Sequence, residues 1–135
     1  MKIFAVRIGD KYGSEYENYL ENKLSDYEMV WIRKPYDDRV TLQWNKMNVM
    51  NLDIDEPVCV IDIDVLLTGN YKDIFDCPVE RGQFLAMPGW WRDTEKEGYS
   101  INGGFFKYYP KDCKYIYDKF MSDIRLLLLL ILFTV

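Results

Sequence analysis

Seven residues constrain this chain more than any others: Val58, Cys59, Val60 and Ile61, followed by Asp62, Ile63 and Asp64. Four consecutive apolar residues with β-branched members predict a strand buried on both faces, the kind found in the middle of a parallel sheet. The two carboxylates then fall at its carboxyl end. In open α/β sheets ligands bind at that edge, and alternation along a strand turns Asp62 and Asp64 to the same side with Ile63 facing away. Two anions so placed repel each other, and a divalent cation between them is the simplest way to offset the repulsion.

The whole chain has 135 residues, and 49% of them are apolar, enough for one domain with a real core. A net charge of −5 argues against nucleic acid as a partner, because phosphate binding needs a basic face. Histidine is absent, which excludes Ser-His and Cys-His nucleophile pairs and any zinc site built on imidazole. Cys59, Cys77 and Cys113 are odd in number, far apart and in no metal-ligand spacing, so a reducing compartment and a cytoplasmic protein are expected. The start of the chain is interrupted too soon, by Arg7 and Asp10, to read as a secretory signal.

Read in order, residues 2–8 predict a first strand that ends at the glycine-bearing turn Gly9-Asp10-Lys11-Tyr12-Gly13. A helix follows, opened by a capping box of Ser14 and Glu17 and continued by Tyr16, Leu20 and Leu24. Residues 27–32 predict a second strand. Residues 40–52 predict a second helix, with Val40, Trp44, Met47 and Met50 on one face and Lys46 projecting elsewhere. The Val58 strand comes next, then a short helix over 71–75 capped by Asn70, a strand over 83–87, a charged loop over 90–98, a strand over 105–109 and a helix over 113–121. Strand and helix alternate, which implies an α/β domain with right-handed crossovers.

The chain carries its own control for the paired acids. Asp53-Ile54-Asp55 has the same spacing but follows no apolar strand and precedes Pro57, so it reads as a solvated turn. Residues 126–133 are an unbroken apolar run, too short for a membrane helix, which needs about 20 apolar residues. The expected division is a domain over 1–123 and an apolar tail of uncertain origin over 124–135. A core strand, a peripheral membrane contact and the product of a truncated or shifted reading frame are its three readings; membrane contact is not favoured.

Lys46-Met47 and the run from Cys59 to Asp76, with Leu67-Thr68-Gly69-Asn70 and the closing Phe75-Asp76, resemble the donor-binding core of glycogenin-like and bacterial galactosyltransferase-like glycosyltransferases of GT-A fold. The run Phe84-Leu85-Ala86-Met87-Pro88 and the run Asn102-Gly103-Gly104-Phe105 are similar to two further motifs of that family, in the same order. The resemblance implies a GT-A, Rossmann-like α/β domain with a mostly parallel sheet flanked by helices. It implies a metal-dependent hexosyltransferase that moves a sugar from a nucleoside diphosphate sugar, a UDP-sugar favoured, to an unknown acceptor. Asp62 and Asp64 would hold manganese or magnesium, and Lys46 would contact the donor. Asp10 and Tyr12 would meet the nucleotide base. Asp62, Asp64 and Asn102 are the expected catalytic residues, and Ile63, Gly103 and Gly104 complete the expected donor contacts, with Asp93 a candidate on the acceptor side.

One departure stands out: the family completes its metal site with a histidine from a C-terminal segment, and this chain has none. Water or another ligand would take that position, or the domain is cut short and weakly active or inactive. Two rival readings follow from the same residues. Val60 to Leu67 also resembles the Asp-x-Asp strand of haloacid-dehalogenase-type phosphatases, where Asp62 would be the nucleophile and Asp64 the general acid or base. The other is a truncated, non-catalytic nucleotide-sugar-binding module.

Overall fold

Hydrophobic alternation along the strands sets the layers of the structure, a computed structural model that describes residues 1–89 and 101–124. Strands β1 (Lys2–Val6), β2 (Glu28–Ile32), β3 (Val58–Ile61), β4 (Phe84–Pro88) and β5 (Ile101–Tyr108) form one sheet in the order β2-β1-β3-β5-β4. β1 pairs parallel with β2 and with β3, whereas β5 pairs antiparallel with β3 and with β4. The sheet is therefore mixed, with β5 running against the other four strands. The expectation of a mostly parallel sheet holds for the β2-β1-β3 half and fails on the far side of β3. β4 and β5 are consecutive in sequence and adjacent in the sheet, a pairing that needs no crossover helix.

Alternate residues of each strand feed two cores. Ile3, Ala5, Cys59, Ile61 and Phe105 face one way, against Leu20 of helix α1 (Ser14–Lys23), Leu24 just after it, and Phe75 of helix α2 (Tyr71–Asp76). Phe4, Val58, Val60, Phe106 and Tyr108 face the other way, against Val49, Met50 and Cys113. All four residues of β3 are buried, as its composition predicts. Val49 and Met50 belong to a 3₁₀-helix, Leu42–Asn51; Cys113 ends a short 3₁₀ turn, Pro110–Cys113, that leads into helix α3 (Lys114–Ser122).

The 3₁₀-helix replaces the α-helix expected over 40–52. Asn45 explains part of the difference: its side-chain amide donates to the Leu42 carbonyl at 2.8 Å, competing with the bond an α-turn would make there. A 3₁₀-helix has three residues per turn, so side chains three apart eclipse. Trp44, Met47 and Met50 still share a row. Gln43, Lys46 and Val49 now share another, and because Val49 is in the core, Lys46 is drawn inward rather than projecting away.

Two smaller expectations also change. The capping box does not form: the residue before α1 is Gly13, with no side-chain cap, and Glu17 is engaged by arginines instead. The Asn102-Gly103-Gly104 run lies inside β5 rather than ahead of it. Asn70 precedes α2 as expected, without a side-chain cap bond. The charged loop over 90–98, with Asp93, and the tail beyond residue 124 lie outside the described residues. Among the described residues, no helix is long and apolar enough to cross a membrane.

Candidate active site

The carboxyl ends of β1 and β3 lie side by side because the two strands pair in parallel, Ile3 with Cys59 through Ala5 with Ile61. Beyond them the chain turns away, and a cleft of about 420 Å³ opens between the loop after β1, the loop after β3 and the 3₁₀-helix. Asp10 and Tyr12 line it from the first, Asp62, Ile63 and Asp64 from the second, and Lys46 from the third. Gly9 turns the first loop with a φ of 84°, a left-handed conformation that costs glycine nothing.

Asp62 begins as a continuation of the ladder, its N–H donating to the Gly104 carbonyl at 3.2 Å. Its side chain meets the Lys46 ammonium, 3.4 Å from Oδ1. Lys46 is only 8% exposed. It donates a second, shorter bond to the Gly103 carbonyl at 2.8 Å and lies 5.2 Å from the centre of the Phe106 ring. A buried ammonium needs such partners, because an unpaired charge away from water is costly. Ile63 packs into the core beside Ile61, and Asp64 swings back to the cleft, where its Oδ2 accepts a hydrogen bond from the Tyr12 hydroxyl at 3.2 Å. The Tyr12 ring is steadied edge-on against Tyr16, with centroids 4.9 Å apart.

Gly103 and Gly104 fit this geometry by their lack of a side chain. An ideal Cβ at Gly103 would sit 3.2 Å from Lys46 Nζ, and one at Gly104 would sit 3.1 Å from Asn102 Oδ1 and 3.7 Å from Asp62 Oδ2. Opposite β4 the register slips: Ala86 faces Phe106 while Met87 faces Asn102, so Gly103, Gly104 and Phe105 have no partner there and form a bulge. The Asn102 side chain stabilises the bulge by accepting the Gly104 N–H at 2.8 Å. Asn102, Gly103 and Gly104 therefore stand behind Asp62 and Lys46, not among the residues that line the cleft.

Among the lining residues that sequence reasoning passed over are Arg7, Leu42 and Gln43. Gln43 shares the eclipsed row with Lys46, a relation hidden until the helix is known to be 3₁₀. Arg7 follows β1 directly, and a charged residue at the end of an apolar strand was the available signal. Its guanidinium is 2.8 Å from Glu17 Oε1, and Arg33 grips both oxygens of the same carboxylate at 2.6 and 3.2 Å. Arg33 first, and Arg7 after it, hold the Glu17 carboxyl below the usual glutamate range.

Divalent manganese or magnesium takes oxygen ligands and is commonly held by one or two carboxylates, with waters and phosphates completing its shell. Asp62 and Asp64 fit that pattern, each with one oxygen outside the bonds to Lys46 and Tyr12. Neither is held by arginine among the described residues. Among the described residues there is no cluster of three or more His, Cys, Asp or Glu side chains able to enclose a metal, and Asp62 and Asp64 are the paired acids that those residues offer at the cleft. The second acid pair behaves as its sequence context predicts: Asp53 and Asp55 stay at the surface and pair with Lys111 and Arg81. No family model, no curated protein and no solved structure matches the chain.

Proposed function

We propose that the domain is a GT-A glycosyltransferase, a hexosyltransferase that takes its sugar from a nucleoside diphosphate donor, a UDP-sugar in preference, and passes it to an acceptor still to be identified. The observation that carries this reading is the placement of Asp62 and Asp64 in one cleft at the carboxyl edge of β3, beside a buried Lys46 and across from the loop after β1. A cleft that interleaves acids and bases suits a ligand that is itself a cation–diphosphate pair. Bound manganese or magnesium would be held by Asp62 and Asp64 and would neutralise charge on the departing nucleotide diphosphate. Lys46, anchored to Gly103, keeps its ammonium at the diphosphate side, and Tyr12 orients Asp64 through its hydroxyl. All three cysteines are free thiols, which supports a reducing, cytoplasmic setting.

Thermal-shift titration with UDP, with and without manganese, tests the reading. At a ligand concentration one hundred times Kd the stabilisation is about 2.7 kcal/mol, on the order of 10 °C in Tm for a chain of this size. Asp62→Asn and Asp64→Asn should each abolish the manganese-dependent part while leaving the unliganded Tm within about 2 °C of the parent. Variants that bind as the parent does would remove both acids from the site. Hydrolysis of a simple phosphomonoester by the parent, lost in Asp62→Asn, would assign the cleft to a phosphatase instead.

A further inference from the structure

Leu42 breaks two local rules at once. Its φ of 39° makes it the sole non-glycine among the described residues in the left-handed region, where a side chain crowds its own backbone. It is also 54% exposed, so more than half of the side chain stays open to solvent while its backbone carries that strain. The conformation is held from below. Asn45 is completely buried, donates to the Leu42 carbonyl at 2.8 Å and accepts the Tyr36 N–H at 3.2 Å through its other amide atom. A buried amide with both ends satisfied is a rigid clamp. It presents the isobutyl group to the same cleft that Asp62, Asp64 and Tyr12 line.

Strained residues that the surrounding structure over-determines concentrate at ligand sites. We propose that Leu42 is the apolar lip of the cleft and packs against the flat face of the nucleobase of the bound nucleoside diphosphate. The inference rests on the reading of the cleft as a nucleotide-sugar site and adds to it the residue that grips the base. The chemistry selects that part of the ligand. Phosphates are charged and a sugar is ringed by hydroxyls, whereas a side chain with no donor or acceptor complements a surface that needs none. Ligand pockets combine such apolar walls with a few polar groups that fix orientation.

Two variants test the assignment by isothermal titration with UDP and, in parallel, inorganic pyrophosphate, both with manganese. Leu42→Gly adopts the left-handed conformation without strain, so its unliganded Tm should equal or exceed that of the parent. Leu42→Asn tolerates the same conformation with the same branched four-atom skeleton but is polar. Both should weaken UDP binding about tenfold, the worth of half a leucine side chain taken out of water, and leave pyrophosphate binding unchanged. UDP binding as tight as the parent's in either variant, or an equal loss of UDP and pyrophosphate, overturns the proposal. A parent that binds neither ligand removes the nucleotide-sugar reading itself, a result distinct from a parent that binds and variants that match it.

Discussion

Glu17 ties the end of β1 to the end of β2 through Arg7 and Arg33, and it is only 9% exposed. Because the arginines favour its charged form, its pKa is lower in the folded chain than the ordinary 4.5. A depressed carboxyl stabilises the fold fully above its unfolded pKa, and that stability is lost as pH falls through the folded value. Glu17→Gln should therefore cost about 1–2 kcal/mol at pH 7, measured by urea unfolding, with the gap to the parent narrowing below about pH 4.5. A gap that stays constant down to pH 3 would show that the carboxylate charge does not act through this network. The sequence offered Glu17 as half of a capping box. That reading failed because Arg7 and Arg33, separated by 26 residues in the chain, converge on it only once β1 and β2 pair.

Lys46 of the 3₁₀-helix donates to the Gly103 carbonyl of β5, and that bond helps to place the ammonium beside Asp62. Gly103→Ala puts a methyl 3.2 Å from Lys46 Nζ, the flexible end of a side chain, so the backbone need not move. Its expected cost in stability is below about 1 kcal/mol, while manganese-dependent UDP binding should fall; urea unfolding and titration on the same sample separate the two effects. Unchanged binding would mean that Lys46 does not need its Gly103 anchor. Strand existence and type were readable across the chain, since all five strands appear near their expected residues. The kind of helix over 42–51 was not, because the spacing of three among Trp44, Met47 and Met50 fits both a 3.6 and a 3.0 period, and a buried asparagine helped to tip the balance.

Across the whole molecule, two cores on opposite faces of one sheet bury Cys59 and Cys113, while Cys77 remains partly open. Burial pushes the Cys59 thiol up to about 12 and the Cys113 thiol up to about 11, and only a thiolate attacks a disulfide reagent. Ellman's reagent at pH 8 should thus titrate one thiol promptly in the native protein and the other two only at the rate of global unfolding; three prompt thiols would contradict this layering. The sequence by itself determined that β3 is dry, that two acids follow it at an open edge, and that the copy at Asp53 and Asp55 is a surface turn. Each of these depends on the character of adjacent residues, which a linear pattern records. Only the tertiary structure decided that β5 runs backwards, that Lys46 is buried against Asp62, and that Leu42 and Arg7 line the cleft. Those depend on which distant segments share a register, and hydrophobic patterning fixes which face of an element is buried without fixing which neighbour buries it.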